Sequence, residues 1–462
     1  MSADGRARAR TKMQEAGVAQ TAIDVFARFY DLLESGETGA IPESDVEPLR
    51  DVPRLVDLDV DPEAARDALA ATAVIKLNGG LGTSMGMDRA KSLLRVRGEQ
   101  TFLDVIAQQV LAARAATGAR LPLVLMNSFR TRDDTLAALA AHPDLAVDGL
   151  PLDFLQNREP KLRADDLTPV DWPADPDLEW CPPGHGDLYT ALHASGTLGR
   201  LLDAGFRYAT VSNSDNLGAA PQARIAGWFA ATGAPFAAEV ARRTPADRKG
   251  GHLVVRRADG RIVLRETAQT LPEDADAAAD ISTHPFFNTN NLWLDLRALA
   301  AELERTAGVL DLPLIRNDKT VDPTDASSTP VVQIESAMGA AIEVFDGATV
   351  LEVDRSRFLP VKTTNDLLVL RSDVYRSTED HLLVAQVDAP LVDLDPGYYK
   401  TIGAFDRRVP VAPSLAAATA LRVRGDWTFE EDVVVVGEGV LSDQGAPSRV
   451  PAGSSVGPHG IS

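Results

Sequence analysis

The fold of this chain is decided by the stretch Thr72-Ala73-Val74-Ile75-Lys76-Leu77-Asn78-Gly79-Gly80-Leu81-Gly82-Thr83-Ser84-Met85-Gly86. Its first part is a short apolar, β-branched run, glycines follow directly, and a helical pattern begins near Phe102, which together predict a strand, a loop and a helix. Glycines directly after a strand let backbone N–H groups approach a phosphate closely, and Lys91 supplies a positive charge nearby. The stretch predicts an α/β fold with a candidate phosphate loop, although a tight turn without a ligand has the same pattern.

Two standard phosphate-binding motifs do not account for this loop. In a Walker A loop Gly86 would be followed by lysine, but Met87 stands there. In the dinucleotide-binding fingerprint a glycine would stand at Met85. The loop alone therefore does not identify a substrate.

Further strand and helix patterns extend from this stretch in both directions. The apolar runs 121–126 and 208–212 are separated by periodic Ala/Leu segments, as a parallel sheet covered by helices requires. Helical spacing precedes them up to about Leu69, and short strands alternate with Gly and Asp turns over 421–442. The polar, Pro-containing stretch 317–329 is predicted to be a loop. The predicted units are a helical extension over 1–70, an α/β domain over 71–385 and a small β domain over 386–462.

Composition narrows the class of function. The net charge of -21 disfavours nucleic acid and anionic membrane surfaces as partners, but it leaves room for a small phosphate ligand held by local backbone groups and one or two lysines. The only cysteine, Cys181, cannot form an intrachain disulfide, and neither a signal peptide nor a membrane-spanning run is recognised. These observations predict a cytoplasmic globular protein.

Two motifs beyond the glycine loop are suited to phosphate chemistry. The segment 182–187, Pro-Pro-Gly-His-Gly-Asp, forms a rigid turn that can fix a backbone amide and the imidazole of His185, although this segment taken alone favours a structural turn with a solvated histidine. The segment 212–218, Ser-Asn-Ser-Asp-Asn-Leu-Gly, ends an apolar strand, where ligands of α/β proteins bind. Asp215 is placed there for Mg²⁺, which needs only one or two carboxylates besides phosphates and water; an Asx turn is the alternative.

Two more segments are suited to a sugar phosphate. The segment 288–293, Asn-Thr-Asn-Asn-Leu-Trp, offers amide donors and acceptors for hydroxyl groups, although asparagine-rich turns are common. The segment 355–364 carries Arg355, Arg357 and Lys362, which suit a phosphate clamp, although three cations in a short span more often form a solvated face. Only the whole set favours a single site.

Taken in this order, the motifs closely resemble those of the eukaryotic-type UTP:glucose-1-phosphate uridylyltransferases, also called UDP-glucose pyrophosphorylases. The matching segments are 77–94, 123–135, 154–162, 182–189, 211–219, 287–294 and 333–368. The resemblance implies that 71–385 form a nucleotide-diphospho-sugar transferase-like catalytic domain, with a mixed sheet flanked by helices. It also implies a C-terminal left-handed β-helix over 386–462, through which relatives form homo-oligomers in some cases.

The resemblance also implies roles for individual residues. The implied nucleotide-binding residues are Leu77, Asn78, Gly79, Gly80, Met126, Gln156, Gly184 and Asn213. The implied sugar-phosphate-binding residues are His185, Glu266, Asn288 and Asn290. Lys91 and Lys362 would neutralise the triphosphate, and Asp215 would ligate Mg²⁺.

The implied reaction joins UTP and glucose 1-phosphate, gives UDP-glucose and pyrophosphate, and needs no protein nucleophile. A phosphate oxygen of the sugar attacks the α-phosphorus in line, so positioning and charge neutralisation carry the catalysis. Two alternatives stay open: a pyrophosphorylase for N-acetylglucosamine or galactose 1-phosphate, and a noncatalytic UDP-sugar binding module. The segments 212–218 and 288–293 favour glucose, and the intact Lys91, Asp215 and Lys362 favour catalysis.

Overall fold

The centre of the molecule is a ten-stranded sheet in a computed structural model that describes residues 3–244, 247 and 250–462. Met1 and Ser2 of the predicted extension lie outside the described residues. The main path across the sheet runs through Val46–Pro48, His252–Arg256, Phe286–Asp295, Tyr208–Asn213, Thr72–Asn78, Leu123–Asn127 and Asp153–Leu155. The other three strands are Phe236–Arg242, which pairs with Phe286–Asp295, Thr349–Glu352, which pairs with Phe236–Arg242, and Ile262–Arg265, which pairs with His252–Arg256.

Four neighbouring strands of this sheet run parallel. They are Tyr208–Asn213, Thr72–Asn78, Leu123–Asn127 and Asp153–Leu155. Phe286–Asp295 pairs antiparallel with Tyr208–Asn213, so the sheet is mixed. Thr72–Asn78 is buried along its whole length, as an apolar run at the centre of a parallel sheet requires. The prediction of an α/β fold with a mixed sheet is confirmed.

Each face of the sheet packs against its own hydrophobic core. Because side chains alternate along a strand, Val74 joins one core, which helix Phe102–Thr117 covers, and Ile75 joins the other, which helix Gln20–Glu34 covers. The α-helices of the described residues are Ala3–Glu15, Gln20–Glu34, Pro62–Ala70, Phe102–Thr117, Arg132–Leu139, Asp187–Ala194, Thr197–Asp203, Ala223–Thr232, Ala275–Ala279, Leu296–Arg305, Thr364–Arg371, Pro396–Tyr399 and Ile402–Arg408. Within the described ranges, no helix combines the length and apolar character that a membrane crossing requires.

The C-terminal part is a coil of parallel strands. In spatial order, which is also chain order, one sheet contains Leu391–Leu394, Ser414–Val423, Val434–Leu441 and Ser455–Gly457, with Gly460–Ile461 added antiparallel. A second sheet pairs Trp427–Phe429 with Ser448–Val450, again in parallel. The inward side chains join the core that helix Phe102–Thr117 covers, and helix Thr364–Arg371 contacts the first strand of the coil, Leu391–Leu394.

The glycine loop contacts this C-terminal part. Gly86 has a φ of +70°, and a Cβ added to it would lie 3.0 Å from Thr401 Cγ2. A left-handed backbone and a close neighbour therefore both require glycine at this position. The loop between Asn78 and Lys91 is thus held between the main sheet and the start of helix Ile402–Arg408.

One predicted loop is partly a strand. Asn317 to Thr320 belong to Ile315–Thr320, which pairs antiparallel with Pro330–Glu335, so the prediction of a loop over 317–329 is wrong for its first four residues. Backbone pairing forms this strand although its side chains are mostly polar and solvent-facing, so composition gave no signal. The remaining small pairings join Leu162–Arg163 to Pro330–Glu335, Arg95–Arg97 to Gln100–Thr101, Glu159–Pro160 to Trp180–Cys181, and Tyr375–Ser377 to Leu383–Ala385.

Candidate active site

Polar side chains meet where the parallel strands end. The side-chain amide of Asn78 donates to Asn127 Oδ1 at 2.8 Å and to Thr135 Oγ1 at 2.9 Å, and Asn78 Oδ1 accepts from Ser214 Oγ at 3.0 Å. These bonds engage the buried Asn78 side chain fully, so its backbone is what it offers a ligand. Asn213 is half-buried at the end of its strand, and its side chain makes no hydrogen bond within the described residues.

The glycine loop leads from these strand ends to a glutamine. A Cβ on Gly79 would lie 2.6 Å from Gln156 Oε1, so a larger residue here would displace the end of this side chain. Gln156 Nε2 donates to the carbonyl of Gly184 at 3.0 Å. Gly80 borders open space and accepts a hydrogen bond from the backbone N–H of Lys91 at 3.0 Å. The predicted nucleotide residues Gly79, Gln156 and Gly184 thus form one contiguous surface beside Lys91.

The predicted catalytic charges Lys91 and Asp215 are in direct contact. Lys91 Nζ lies 2.5 Å from Asp215 Oδ2, and the two side chains are 18% and 20% exposed. The carbonyl of Asp215 accepts from the N–H of Val361 at 3.4 Å, which brings the segment containing Lys362 to the same turn. Partial exposure leaves both charges of the Lys91–Asp215 pair accessible to a ligand.

The His185 turn is packed against the strand end at Ser336. Gly184 has a φ of +77°, and a Cβ there would lie 2.5 Å from the carbonyl oxygen of Ser336, so this turn also requires glycine. His185 Nδ1 accepts from the backbone N–H of Met338 at 2.9 Å, and burial lowers the pKa of His185 to about 4. The imidazole is therefore neutral at pH 7 with its proton on Nε2, which can donate to a phosphate oxygen.

Asp187 is a supporting residue that the sequence analysis missed. Its carboxylate accepts from the backbone N–H of Asn157 at 2.6 Å and from Asn157 Nδ2 at 2.8 Å, which fixes the segment next to Gln156. Burial raises the pKa of Asp187 to about 7, although both bonds from Asn157 oppose the shift. In the sequence, Asp187 follows Gly186 and is indistinguishable from an ordinary turn residue, so its role could not be predicted.

Glu266 and Lys362 mark the opposite end of the site. The Glu266 carboxylate lies against Gly251, where a Cβ would come within 2.7 Å of Oε2. Burial raises the pKa of Glu266, and the positive charge of Lys362 counteracts the shift. Lys362 is exposed, and its ammonium lies 5.9 Å from the centre of the Phe287 ring, which also contacts Phe358.

A bulge in strand Phe286–Asp295 separates its asparagines. The pairing with Phe236–Arg242 shifts register here, and Asn290 takes a left-handed φ of +58°. Asn288 Nδ2 donates to Asn290 Oδ1 at 3.0 Å, so these two predicted sugar-binding side chains form a unit. Asn288 Nδ2 also lies 3.1 Å from the position of a Cβ on Gly339, the neighbour of Met338, which connects this unit to the His185 turn.

Two predicted residues contribute core rather than surface. The side chains of Leu77 and Met126 are only 9% and 2% exposed and belong to the core that helix Gln20–Glu34 covers. Their buried side chains pack in the core next to the strand ends. Apart from Asn213, whose side chain makes no hydrogen bond within the described residues, the other predicted site residues are connected through the contacts described above.

Asp215 offers its carboxylate to a divalent cation at this site. Among residues 3–244, 247 and 250–462, no group of three or more His, Cys, Asp or Glu side chains could enclose a metal. Mg²⁺ does not need such a cage, because one or two carboxylates, substrate phosphates and water satisfy it. The partly exposed Asp215 carboxylate beside the glycine loop fits that requirement.

Comparisons with known proteins agree with this geometry. A family model described as UTP--glucose-1-phosphate uridylyltransferase matches residues 23–436. The potato (Solanum tuberosum) protein of the same name is 37% identical over 410 residues, which cover 87% of this chain and 83% of that protein. A UDP-glucose phosphorylase from Trypanosoma brucei is 42% identical with a TM-score of 0.89, covering 98% of this chain and 99% of that one. A mutant UDP-glucose pyrophosphorylase from Leishmania major, solved with UDP-glucose, has a TM-score of 0.92 at 39% identity, covering 98% of each chain.

Proposed function

This chain belongs to the UTP--glucose-1-phosphate uridylyltransferase family, and we propose that it joins UTP to glucose 1-phosphate, giving UDP-glucose and pyrophosphate. The observation that carries the proposal is the contact of Lys91 with Asp215 beside the glycine loop, with Lys362 on the adjoining segment. Two cations and a carboxylate at one turn suit a reaction between two phosphate esters.

The nucleotide binds at the strand ends. Gly79 and Gly80 present backbone to the phosphates. Gln156 offers its oxygen as an acceptor and its remaining N–H as a donor to the uracil edge, and the carbonyl of Gly184 offers a further acceptor. Asn213, with its unengaged side chain, is assigned to the ribose and phosphate region. Leu77, Asn78 and Met126 support this surface through backbone and core packing.

The sugar phosphate binds at the opposite end. Glu266 and the Asn288–Asn290 pair provide acceptors and donors for hydroxyl groups. Neutral His185 donates from Nε2 to a phosphate oxygen and does not need to lose a proton. Lys362, which is exposed beside Phe287, is free to reach the phosphates.

The chemistry then follows from positioning. A phosphate oxygen of glucose 1-phosphate attacks the α-phosphorus of UTP in line, the new P–O bond forms, and the bond to pyrophosphate breaks. Lys91 and Lys362 neutralise charge on the oxygens as the reaction proceeds. Asp215 would hold Mg²⁺, which supplies further charge neutralisation when bound to the phosphates.

Pyrophosphate release tests the proposal. We expect release from UTP only when glucose 1-phosphate and Mg²⁺ are both present, and we expect a chelator to abolish it. Lys319→Ala, which removes an exposed lysine on Ile315–Thr320, is the control for general loss of positive charge and leaves the rate unchanged. A clear preference for N-acetylglucosamine or galactose 1-phosphate would contradict the glucose assignment. Binding of UDP-glucose without turnover would contradict catalysis.

We further propose that the C-terminal coil is a left-handed β-helix and that the enzyme acts in the cytoplasm. The sequential parallel stacking of its strands supports the coil assignment. Outward-facing Leu391, Val434 and Val436, exposed by 56%, 38% and 48%, make this coil the candidate surface for a homo-oligomer. Light scattering on the full chain measures that assembly, and a mass equal to one chain would contradict it.

A further inference from the structure

Several residues from the motifs of the candidate site are buried and bond to one another. Glu239, which is fully buried on strand Phe236–Arg242, receives Arg357 in a two-point ion pair: Nη2 to Oε1 at 2.7 Å and Nε to Oε2 at 3.0 Å. Trp293 Nε1 donates to Oε1 at 2.9 Å and Asn291 Nδ2 donates to Oε2 at 3.0 Å. We call Asn216, Glu239, Asn291, Trp293 and Arg357 the buried brace.

The charges of the brace are fully compensated. Burial raises the pKa of Glu239, but the positive charge of Arg357 and the three hydrogen-bonding partners outweigh it, so the pKa lies below its ordinary value. Arg357 Nη1 donates to the carbonyl of Ala220 at 2.6 Å. An ion pair buried this deeply is weak evidence for added stability, because apolar side chains of similar size often stabilise as well. Its bidentate geometry, in contrast, fixes distance and orientation closely.

The brace connects the two ends of the site through the backbone of Arg357. Its carbonyl accepts from Asn216 Nδ2 and from Asn291 Nδ2, both at 3.1 Å. Asn216 Oδ1 in turn accepts from the N–H of Leu359 at 2.8 Å. The turn after Asp215 and the segment before Lys362 are therefore bonded to each other.

The two backbones also approach each other very closely. A Cβ on Gly218 would lie 2.3 Å from the carbonyl oxygen of Ser356 and 2.7 Å from the carbonyl carbon of Arg357. No side chain fits between them, so a small shift of Arg357 moves the turn and the segment against each other.

We propose that Glu239 and Arg357 are positioning residues, whose buried ion pair fixes the spacing between Asp215 and Lys362 for phosphoryl transfer. This inference rests on the proposed function, in which Asp215 serves the nucleotide phosphates and Lys362 the reacting charges. Neither Glu239 nor Arg357 touches substrate. They act by holding the two substrate-facing segments in register across the sheet.

The test is Glu239→Gln, which keeps the size of the side chain but removes its charge. We expect kcat per folded molecule to fall about 10- to 100-fold, because a misplacement of about 1 Å costs up to about 100-fold. We expect the KM for UTP to change less than about threefold, since the glycine loop and Gln156 lie outside the brace. Asp295→Asn, which breaks the part-buried Arg207–Asp295 pair where strand Phe286–Asp295 ends, opposite Tyr208 and away from the candidate site, is the matched control and leaves kcat unchanged.

A double variant separates positioning from stability. Glu239→Leu with Arg357→Met replaces the pair by apolar side chains, and we expect its Tm to return towards that of the wild type while kcat stays low. If Tm and kcat recover together, or if Glu239→Gln keeps the kcat of the wild type, the pair is only structural and the inference is overturned.

A crystal structure of Glu239→Gln gives an answer that does not depend on turnover. We expect residues 355–362 to shift relative to strand Tyr208–Asn213, and unchanged positions would overturn the inference. A wild-type chain without uridylyl transfer would instead refute the proposed function, while this structural comparison would still judge the brace.

Discussion

Two ion pairs in this protein each join a basic side chain to a carboxylate, but they differ in their exposure to solvent. Lys91 and Asp215 share one contact of 2.5 Å and are 18% and 20% exposed, whereas Arg357 and Glu239 share two contacts and are 10% and 0% exposed. A partly exposed pair can exchange its partners for substrate and solvent, but opening a buried pair leaves an uncompensated charge. The comparison teaches that the pair proposed to serve the reaction is accessible to a ligand, whereas the pair proposed to position it is buried.

The largest expected effect comes from opening the buried pair. Arg357→Met leaves Glu239 charged and unpaired, so we expect the free energy of unfolding to fall by about 3–5 kcal/mol, measured by urea denaturation. Arg95→Met removes one partner of the exposed Arg95–Glu99 pair and is the control, with an expected change below about 1 kcal/mol. Equal losses of unfolding free energy in the two variants would contradict the expected difference between buried and exposed pairs.

The accessible pair should show the reverse pattern. Lys91→Ala removes the ammonium group that is proposed to neutralise the negative charge developing on the phosphate oxygens. We therefore expect kcat to fall by about two to three powers of ten, or about 3–4 kcal/mol. Its stability should change by less than about 1 kcal/mol, because the pair is partly exposed. Steady-state rates and urea denaturation measure the two quantities, and a variant that loses stability but keeps its rate would reverse the comparison.

A substitution at Gly184 tests how much the close approach of the Gly184 and Ser336 backbones contributes to stability. Gly184→Ala combines a positive φ with a Cβ 2.5 Å from the Ser336 carbonyl, so we expect a loss of about 2–3 kcal/mol in stability. Gly233→Ala is the matched control, since Gly233 has a φ of +65° and open space around its Cβ. It isolates the cost of the backbone conformation, and an equal loss there would show that the close approach to Ser336 costs nothing.

The smallest expected effect concerns pH. The pKa of His185 is about 4 in the folded protein, below the ordinary value of 6.5, so the unfolded chain binds a proton first as pH falls. Stability linked to His185 is complete above pH 6.5 and is lost as pH falls towards 4. We expect His185→Gln to reduce this acid-induced loss by about 1–2 kcal/mol in urea denaturation at pH 7 and pH 4.5, after allowance for partial exposure. An unchanged pH dependence would show that His185 titrates normally in the fold.

Local features of the site could be predicted from the sequence. Gly79, Gly80 and Lys91 lie in one continuous loop after a strand, and Asp215 directly follows another, so the order of strand, loop and helix is enough to bring them to one edge of the sheet. The parallel strands themselves were predictable because buried strands read as continuous apolar runs.

The brace could not be predicted because it depends on register. The bulge between Phe236–Arg242 and Phe286–Asp295 decides that Asn291 faces Glu239, while Asn288 and Asn290 form a separate pair. Asn288 and Asn290 were predicted to bind the sugar, but nothing in the sequence marks Asn291 as a buried partner of Glu239. Arg357 likewise looked like part of a charged surface, since its partner lies 118 residues away in sequence.

The contact of Gly86 with Thr401 has a consequence for how the enzyme fails. On the Gly86 side, the glycine loop packs against Thr401, which lies more than 300 residues later in the chain. Heat, proteolysis or truncation that displaces Thr401 and helix Ile402–Arg408 should therefore also displace the glycine loop. Since we propose that this loop binds UTP, its displacement should weaken UTP binding. Inactivation should consequently begin at the far end of the chain, before the catalytic sheet itself has melted.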